Sequence, residues 1–310
     1  MDTETSHSYT KTYSLDEAFS FCAAVTASHH ENFPVASLFL PGEKRPYIQA
    51  IYAFSRIADD IADELEMHPD ERLQKLDDWE QQLLGCFEGR ADHPVFIALR
   101  ETVNRVGIPI EPLQHLLAAF KKDVVQHSYE TFEDLLGYCR CSANPVGRLV
   151  LMIFGYRNEV LHNMSDDICT ALQLTNFWQD VAVDLEKNRL YIPLEDMRKF
   201  GYSNEDWHGR IWNDRFQALM KFQTERTRAL FYHGGELPSR VDRDLQLELK
   251  LVWLGGMSIL KNIERMHYNL FQRRPRLNGF NKLMILIRGL LMKDVTRFGK
   301  SREEWEQTLQ

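Results

Sequence analysis

The sequence has few cysteines, no run of basic residues and no apolar stretch long enough to cross a membrane. Its longest apolar stretch, LMILIRGLL from Leu283, is short and contains Arg288, whereas a spanning helix needs about 20 apolar residues. The 310 residues carry a formal net charge of −8 without five consecutive basic residues. General nucleic-acid binding is therefore disfavoured, because it needs a basic surface, and no nucleic-acid partner is expected.

The five cysteines exclude two further classes of protein. They are odd in number and form no C-x-x-C pair, so neither a disulfide framework nor a zinc site is indicated. Such usage is typical of a reduced, cytoplasmic protein. The polar beginning MDTETSHSYT lacks the apolar core of a signal peptide, and residues 1–13 are interpreted as a polar tail.

The rest of the sequence is dominated by helical patterns. The residues from Ser14 to Glu17 form a capping box, which opens a helix predicted to reach about His30. The segments LQKLDDWEQQLLGCF and EPLQHLLAAFKKDV place apolar residues three and four apart, as one face of a helix does. Neither an alternating strand pattern nor a linker between two halves is present. The sequence therefore predicts a single large all-α domain over residues 1–310.

Two acidic stretches lie within segments that otherwise resemble buried helix. In RIADDIADE, Asp59 and Asp63 are four residues apart, and in TNFWQDVAVDLE so are Asp180 and Asp184. On a helix this spacing directs both carboxylates to one side, and Asn176 extends the second stripe by one turn. Like charges at this spacing are destabilising, more so when they are desolvated. The two pairs therefore predict that cations bind between them.

The ligand chemistry indicates which cation and which substrate. Oxygen ligands without histidine or cysteine select a hard cation, here Mg²⁺ with Mn²⁺ as the alternative. Mg²⁺ usually takes one or two carboxylates and further oxygens from substrate phosphates. Arg56 precedes the first pair by one turn, and Lys187, Arg189 and Tyr191 follow the second. These donors would meet a metal-bound diphosphate, which is the ligand that the pattern predicts.

Isolated pairs elsewhere have simpler explanations. A single acidic pair such as Asp77 and Asp78 usually lies on a solvated helix face. Two D-x-x-x-D pairs in aromatic helices, each near an arginine, lie on a solvated face much less often. The histidines at positions 29 and 30 lack a third clustered ligand. For them a role at a helix end is favoured over metal binding.

The two acidic stretches, in the form YAFSRIADDIADE and QLTNFWQDVAVDLEKNRLYIP, resemble the paired aspartate motifs of the squalene/phytoene synthase family. These are the head-to-head trans-isoprenyl diphosphate synthases, and the similarity runs from about Ser14 to Leu290. The resemblance implies an all-α, isoprenoid-synthase-type domain with a central cavity, dependence on Mg²⁺ and an isoprenyl diphosphate substrate. It also implies roles for individual residues. The implied metal ligands are Asp59, Asp63, Asn176, Asp180 and Asp184. The implied substrate contacts are Phe33, Tyr52, Arg56, Asn176, Gln179, Lys187, Arg189 and Tyr191, with Tyr138 and Gln173 at the reacting carbons.

Within that family the sequence resembles the bacterial hydroxysqualene synthase branch of hopanoid synthesis. The stretches HHENFPVASLFLP, SANPVGRLVL and FQRRPRL fit this branch, with Phe33 at the aromatic position of the first. Gln179 precedes Asp180 where phytoene and dehydrosqualene synthases usually carry arginine, which suits a substrate with one diphosphate. The expected reaction converts presqualene diphosphate and water to hydroxysqualene and diphosphate, and the final cation is quenched by water. No NADPH is expected, and no G-x-G-x-x-G motif occurs.

Other reactions and roles stay open at this point. Presqualene diphosphate, squalene or phytoene synthesis from prenyl diphosphates is the alternative within the family, and a non-catalytic assembly or lipid-binding relative is the alternative of another class. A presqualene diphosphate synthase is the expected functional partner, since it would supply the substrate. The expected location is the cytoplasm, with peripheral contact to the inner membrane face for release of a lipid product.

Overall fold

The structure, a computed structural model, describes residues 12–28, 40–64 and 66–297. Within these ranges every regular element is helical, and Ser128 and Leu190 form an isolated bridge. The predicted all-α class is confirmed. The α-helices are α1 (Leu15–Ser28), α2 (Arg45–Asp63), α3 (Pro69–Phe87), α4 (Pro94–Val106), α5 (Glu111–Val125), α6 (Phe132–Ser142), α7 (Asn144–Ile153), α8 (Glu159–Gln179), α9 (Val181–Glu186), α10 (Leu194–Lys199), α11 (Asn204–His208), α12 (Asp214–Gly234), α13 (Arg243–Arg265) and α14 (Gly279–Leu291). Short 3₁₀ helices lie between α12 and α13, at Leu237–Arg240, and after α14, at Val295–Arg297.

The predicted start of the first helix corresponds to the observed start of α1. The backbone N–H of Ser14 donates to the Glu17 carboxylate at 2.8 Å, and the Glu17 N–H donates to the Ser14 hydroxyl at 3.3 Å. This reciprocal capping satisfies amides that the first turn leaves without partners. The predicted end at His30 lies outside the described residues, where α1 is followed to Ser28. The two periodic segments form most of α3 and α5.

The two acidic stretches lie in different groups of packed helices. The first is at the end of α2, which packs against α1, α3, α4 and α5. The second begins in the last turn of α8, which packs against α6, α7, α12 and α13. Helices α5, α6 and α7 contact one another and connect the groups. The folded chain therefore brings the ends of α2 and α8 to the same region across this middle layer.

The two groups have different kinds of core. Around α2 the rings of Phe54, Trp79 and Phe96 pack together, with centroids 4.5 Å apart for Trp79 and Phe96. Between α8 and α12 the backbones approach closely, because a Cβ on Gly234 would lie 2.4 Å from the Met164 carbonyl oxygen. Only glycine permits that approach. Both contacts fix the helices that carry the acidic stretches.

The central cavity implied by the resemblance stays a prediction. A cleft of about 500 Å³ is present at the start of α2, where Lys44 and Tyr47 face Arg105 and Arg157. It is distinct from the region of the acidic stretches. Within the described ranges, no helix has the length and apolar character needed to cross a bilayer.

Candidate active site

The first acidic stretch lies in the last two turns of α2, where negative charge opposes the helix dipole. Its carboxylates are compensated by cations. Arg56 donates to Asp59 at 3.0 Å and to Asp60 at 2.7 Å. Asp63, the last residue of α2, accepts from Lys187 at 2.9 Å and from Arg189 at 2.8 Å. The charge in this otherwise apolar helix therefore has counterions, two of which come from the second acidic region.

The second acidic stretch is not one continuous helix, as the spacing argument assumed. Helix α8 ends at Gln179, and Asp180 has φ −103° and ψ 12° before α9 begins at Val181. The four-residue spacing of backbone hydrogen bonds nevertheless continues through the junction. The Asp180 N–H donates to the Asn176 carbonyl at 2.9 Å, and the Asp184 N–H donates to the Asp180 carbonyl at 2.8 Å. The stripe from Asn176 to Asp184 therefore survives the break.

A tight turn after α9 brings the basic residues back over the acidic ones. Asn188 adopts the left-handed conformation with φ 55°, which asparagine tolerates better than most residues. The Arg189 N–H then donates to the Asp184 carbonyl at 2.8 Å. This reversal directs Lys187 and Arg189 towards Asp63 of α2. The sequence KNR thus joins the two acidic stretches into one site.

The pKa values show that the two pairs share one electrostatic field. Burial, reinforced by the negative charge of Asp180 and more weakly of Asp63, raises the pKa of Asp184 to about 7. Burial alone would also raise the pKa of Asp63, but hydrogen bonds from Lys187 and Arg189 outweigh it and hold that pKa below its ordinary value. Negative charge is thus compensated at Asp63 and in excess at Asp184.

Arg274, which the sequence argument left without a role, contacts the second pair. Its guanidinium forms a two-point ion pair with the Asp180 carboxylate through Nε and through a terminal nitrogen, the latter at 2.9 Å. It belongs to the FQRRPRL stretch between α13 and α14. The cluster of arginines there was the available signal, but the partner 94 residues away was not readable from spacing.

Gln179 is buried beside the loop that carries Arg274. Its side chain is 3% exposed, and its amide donates to the Pro275 carbonyl. The side chain thus leaves α8 on its buried face, and a contact of Gln179 with the substrate stays a prediction. Gln179 fixes the backbone beside Arg274. The cation that contacts Asp180 comes from another segment, as Arg274.

A wall of aromatic rings adjoins the carboxylates. The rings of Phe177 and Tyr191 stack with centroids 3.7 Å apart and an interplanar angle of 8°. Tyr138 lies against both, at 6.1 Å and 6.2 Å, and Tyr129 stacks on Tyr191 at 5.9 Å. Stacked and tilted arrangements of this kind are favourable contacts between aromatic rings. The expected aromatic residues Tyr138 and Tyr191 are thus brought together beside the acidic stretches.

Asp123 of α5 is a second residue that sequence reasoning missed. It accepts a hydrogen bond from the Tyr138 hydroxyl at 2.8 Å, while its other oxygen, Oδ1, is buried without a partner among the described residues. Burial raises the pKa of Asp123 to about 7, and the negative charges of Asp59 and Asp63 add to this rise. The hydrogen bond from Tyr138 and the positive charge of Arg189 act in the opposite direction. The available signal was one carboxylate at the end of an apolar helix face.

The other expected site residues are only partly brought into this arrangement. Tyr52 is half-buried one turn before Arg56 and interacts with it electrostatically. Gln173 is half-buried one turn before Phe177, and Asn176 is exposed. Their chemical roles stay predictions. Phe33 lies outside the described residues.

The oxygen atoms that the acidic side chains of the site offer are the kind of ligand that a hard divalent cation prefers. Four aspartates from α2 and the α8–α9 junction supply oxygen ligands, and no histidine or cysteine is among them. Within the described ranges no three acidic, histidine or cysteine side chains already converge as a metal cage. Three of the four carboxylates are instead held by cations of the chain: Asp59 by Arg56, Asp63 by Lys187 and Arg189, and Asp180 by Arg274. The high pKa of Asp184 marks the place where positive charge is lacking.

Stability of the metal-free protein should depend on this charge. The pKa of Asp184 is about 7 in the folded chain against an ordinary 3.8, so folding favours the protonated form and stability is lost as the pH rises through this interval. We expect the melting temperature to fall by a few degrees between pH about 5.5 and about 8, and Asp184→Asn to reduce the fall. Asp123 acts in the same direction and should leave a residual slope, whereas the lowered pKa of Asp63 matters only in more acidic solution. Thermal unfolding in chelator measures the effect, and an equal slope in Asp184→Asn would contradict it.

Comparison with known proteins gives a consistent result. The sequence profile of squalene/phytoene synthase matches residues 26–281. The chain is 38% identical to the hydroxysqualene synthase of Sinorhizobium fredii over 229 residues, which cover 73% of this chain and 77% of that protein. It is 30% identical to the 15-cis-phytoene synthase of a Synechocystis species over 285 residues, covering 88% and 84%.

Solved structures agree with the fold. The squalene synthase HpnC from Alicyclobacillus acidocaldarius superposes with a TM-score of 0.78 at 42% sequence identity, covering 82% of this chain and 96% of that one. A dehydrosqualene synthase solved with a ligand superposes with a TM-score of 0.80 at 25% identity, covering 89% and 96%. The helices described above thus form the same all-α architecture as these enzymes.

Proposed function

The chain belongs to the squalene/phytoene synthase family, whose members are enzymes that process prenyl diphosphates, and from that premise we propose that it is a hydroxysqualene synthase. The substrate is presqualene diphosphate, and the products are hydroxysqualene and diphosphate. The observation that carries this choice is the identity of 38% to a hydroxysqualene synthase, against 30% to a phytoene synthase. A presqualene diphosphate synthase would supply the substrate.

The charged end of the site suits the departure of a diphosphate. Arg56, Lys187, Arg189 and Arg274 pair with three of the four carboxylates and can turn from them to phosphate oxygens. Arginine matches such oxygens with two parallel hydrogen bonds, and lysine acts as a point charge. Positive groups placed before reaction stabilise the charge that develops as the carbon–oxygen bond breaks.

The carboxylates are the proposed holders of Mg²⁺, with Mn²⁺ as the alternative. Asp59, Asp63, Asp180 and Asp184 would provide its protein ligands, with Asn176 on the same stripe. When bound, the metal supplies positive charge that stabilises the leaving diphosphate. The chain's own cations would then be released from the carboxylates and become available to the substrate.

The aromatic end of the site suits a carbocation. The rings of Phe177, Tyr191, Tyr138 and Tyr129 form a continuous surface, and the face of an aromatic ring attracts positive charge. Such a wall stabilises a cation and excludes water while the carbon skeleton rearranges. A single water must then reach the final cation, because the product carries a hydroxyl group.

Squalene formation, which includes a reduction, and phytoene formation, which is a condensation, would need other substrates or co-substrates. Each of these alternatives has some support. Squalene formation is suggested by the similarity to HpnC, which is described as a squalene synthase. Phytoene formation is suggested by the phytoene synthases among the relatives. The argument from Gln179 no longer separates these reactions, since Arg274 places a guanidinium on Asp180. A non-catalytic role is disfavoured because all four aspartates are present, three of them paired with cations of the chain.

The substrate can be determined directly with purified protein and Mg²⁺. We expect presqualene diphosphate to be converted to hydroxysqualene, and farnesyl diphosphate alone to give little or no product. Extracted lipids are identified by mass spectrometry, with a chelator-treated sample as the control. Presqualene diphosphate, squalene or phytoene formed from simple prenyl diphosphates would contradict the proposal.

A further inference from the structure

Helix α14 has an unusual distribution of apolar residues. Twelve large hydrophobic side chains of the described residues are exposed, and five of them lie on this short helix. They are Phe280 (70% exposed), Leu283 (53%), Ile287 (38%), Leu290 (63%) and Leu291 (78%). At 3.6 residues per turn these five positions fall within an arc of about 100°. They form a single apolar stripe, referred to below as the α14 stripe.

The α14 stripe is not the face with which the helix packs on the protein. That face contains Ile285 and Gly289, both buried, and a Cβ on Gly289 would lie 2.8 Å from Leu251 of α13. The α14 stripe is centred roughly opposite, at about 170° around the helix axis. A helix that is apolar on two opposite sides has a second apolar surface to cover.

The charge around the α14 stripe indicates what covers it. From Arg265 to Lys293 the chain carries seven lysine and arginine residues and no aspartate or glutamate, although the whole protein has a net charge of −8. Arg273, Arg276, Lys282 and Lys293 are exposed. An apolar stripe flanked by basic side chains suits a bilayer containing anionic lipids, because the chains bury the apolar residues and the headgroups attract the cations.

We propose that α14 docks the protein on an anionic membrane surface. The α14 stripe inserts into the boundary between headgroups and acyl chains, and Lys282 and Lys293 contact the lipid phosphates. The loop before α14 carries Arg274, which contacts Asp180, so the docked surface adjoins the candidate active site. Binding depends on the folded surface alone and is independent of which reaction the protein catalyses.

Vesicle flotation tests this surface. The intact protein should float with vesicles of phosphatidylcholine and phosphatidylglycerol and much less with phosphatidylcholine alone. The double variant Leu290→Glu/Leu291→Glu should lower the partition coefficient at least tenfold. Lys282→Gln/Lys293→Gln should lower it severalfold on anionic vesicles and lose most of the preference for them.

A control variant distinguishes docking through α14 from non-specific hydrophobic binding and from misfolding. Val160→Glu changes an exposed apolar residue outside α14, 53% exposed on α8, and this variant should bind vesicles like the unchanged protein. Thermal unfolding of every variant shows that the fold is kept. The proposal is overturned if the intact protein ignores anionic vesicles or if the α14 variants float equally well. It is also overturned if the α14 stripe pairs two copies of the chain instead. In that case the intact protein is a dimer that does not bind vesicles, and only the α14 variants are monomeric.

Discussion

Asp180→Asn should lower kcat by about a thousandfold, because removal of one preorganised group that stabilises developing charge typically costs a factor of this order. Asn keeps the shape of the side chain but loses the charge needed for a divalent cation. Asp59→Asn should have a comparable effect through the other pair. Turnover with Mg²⁺ and presqualene diphosphate measures both.

The fold of Asp180→Asn should remain intact. The variant loses its ion pair with Arg274, but it also loses the repulsion that, after burial, helps to raise the pKa of Asp184. These changes oppose each other, so the melting temperature without Mg²⁺ should move by only a few degrees. Asp78→Asn is a suitable control, because Asp78 is exposed on α3 and accepts from Gln74 at 3.1 Å. Near-full activity in both site variants would show that the carboxylates are not the metal ligands.

The helical fold and the paired carboxylates were readable from the sequence because both depend on local spacing. Apolar residues three and four apart define a helix face, and aspartates four apart define a charged stripe. The second stripe was located correctly even though the helix breaks at Asp180. That break involves neither glycine nor proline, so no local signal announced it.

The missed residues depend on contacts between distant segments. Asp123 acquires its raised pKa only when α5 and α6 bury it beside Tyr138. Arg274 reaches Asp180 across 94 residues. The contact of the Gln179 side chain with the loop at Pro275 is likewise decided by packing and could not be read from its position beside Asp180. Spacing within one helix predicts which side chains share a face, whereas the partner of each face is fixed by tertiary packing.

The oxygen of the product should come from solvent water. The proposed final step is capture of a carbocation by one water molecule, so a reaction in ¹⁸O-labelled water with Mg²⁺ and presqualene diphosphate should place the label in the hydroxyl group of nearly all the hydroxysqualene. NADPH should change neither the identity nor the yield of the product, because no hydride is needed when water is the nucleophile. Mass spectrometry of the extracted alcohol measures the label. The control is the same reaction in ordinary water, which should give unlabelled alcohol. If squalene forms when NADPH is supplied and no alcohol forms without it, the final cation is quenched by hydride, and this protein belongs with the reducing members of its family.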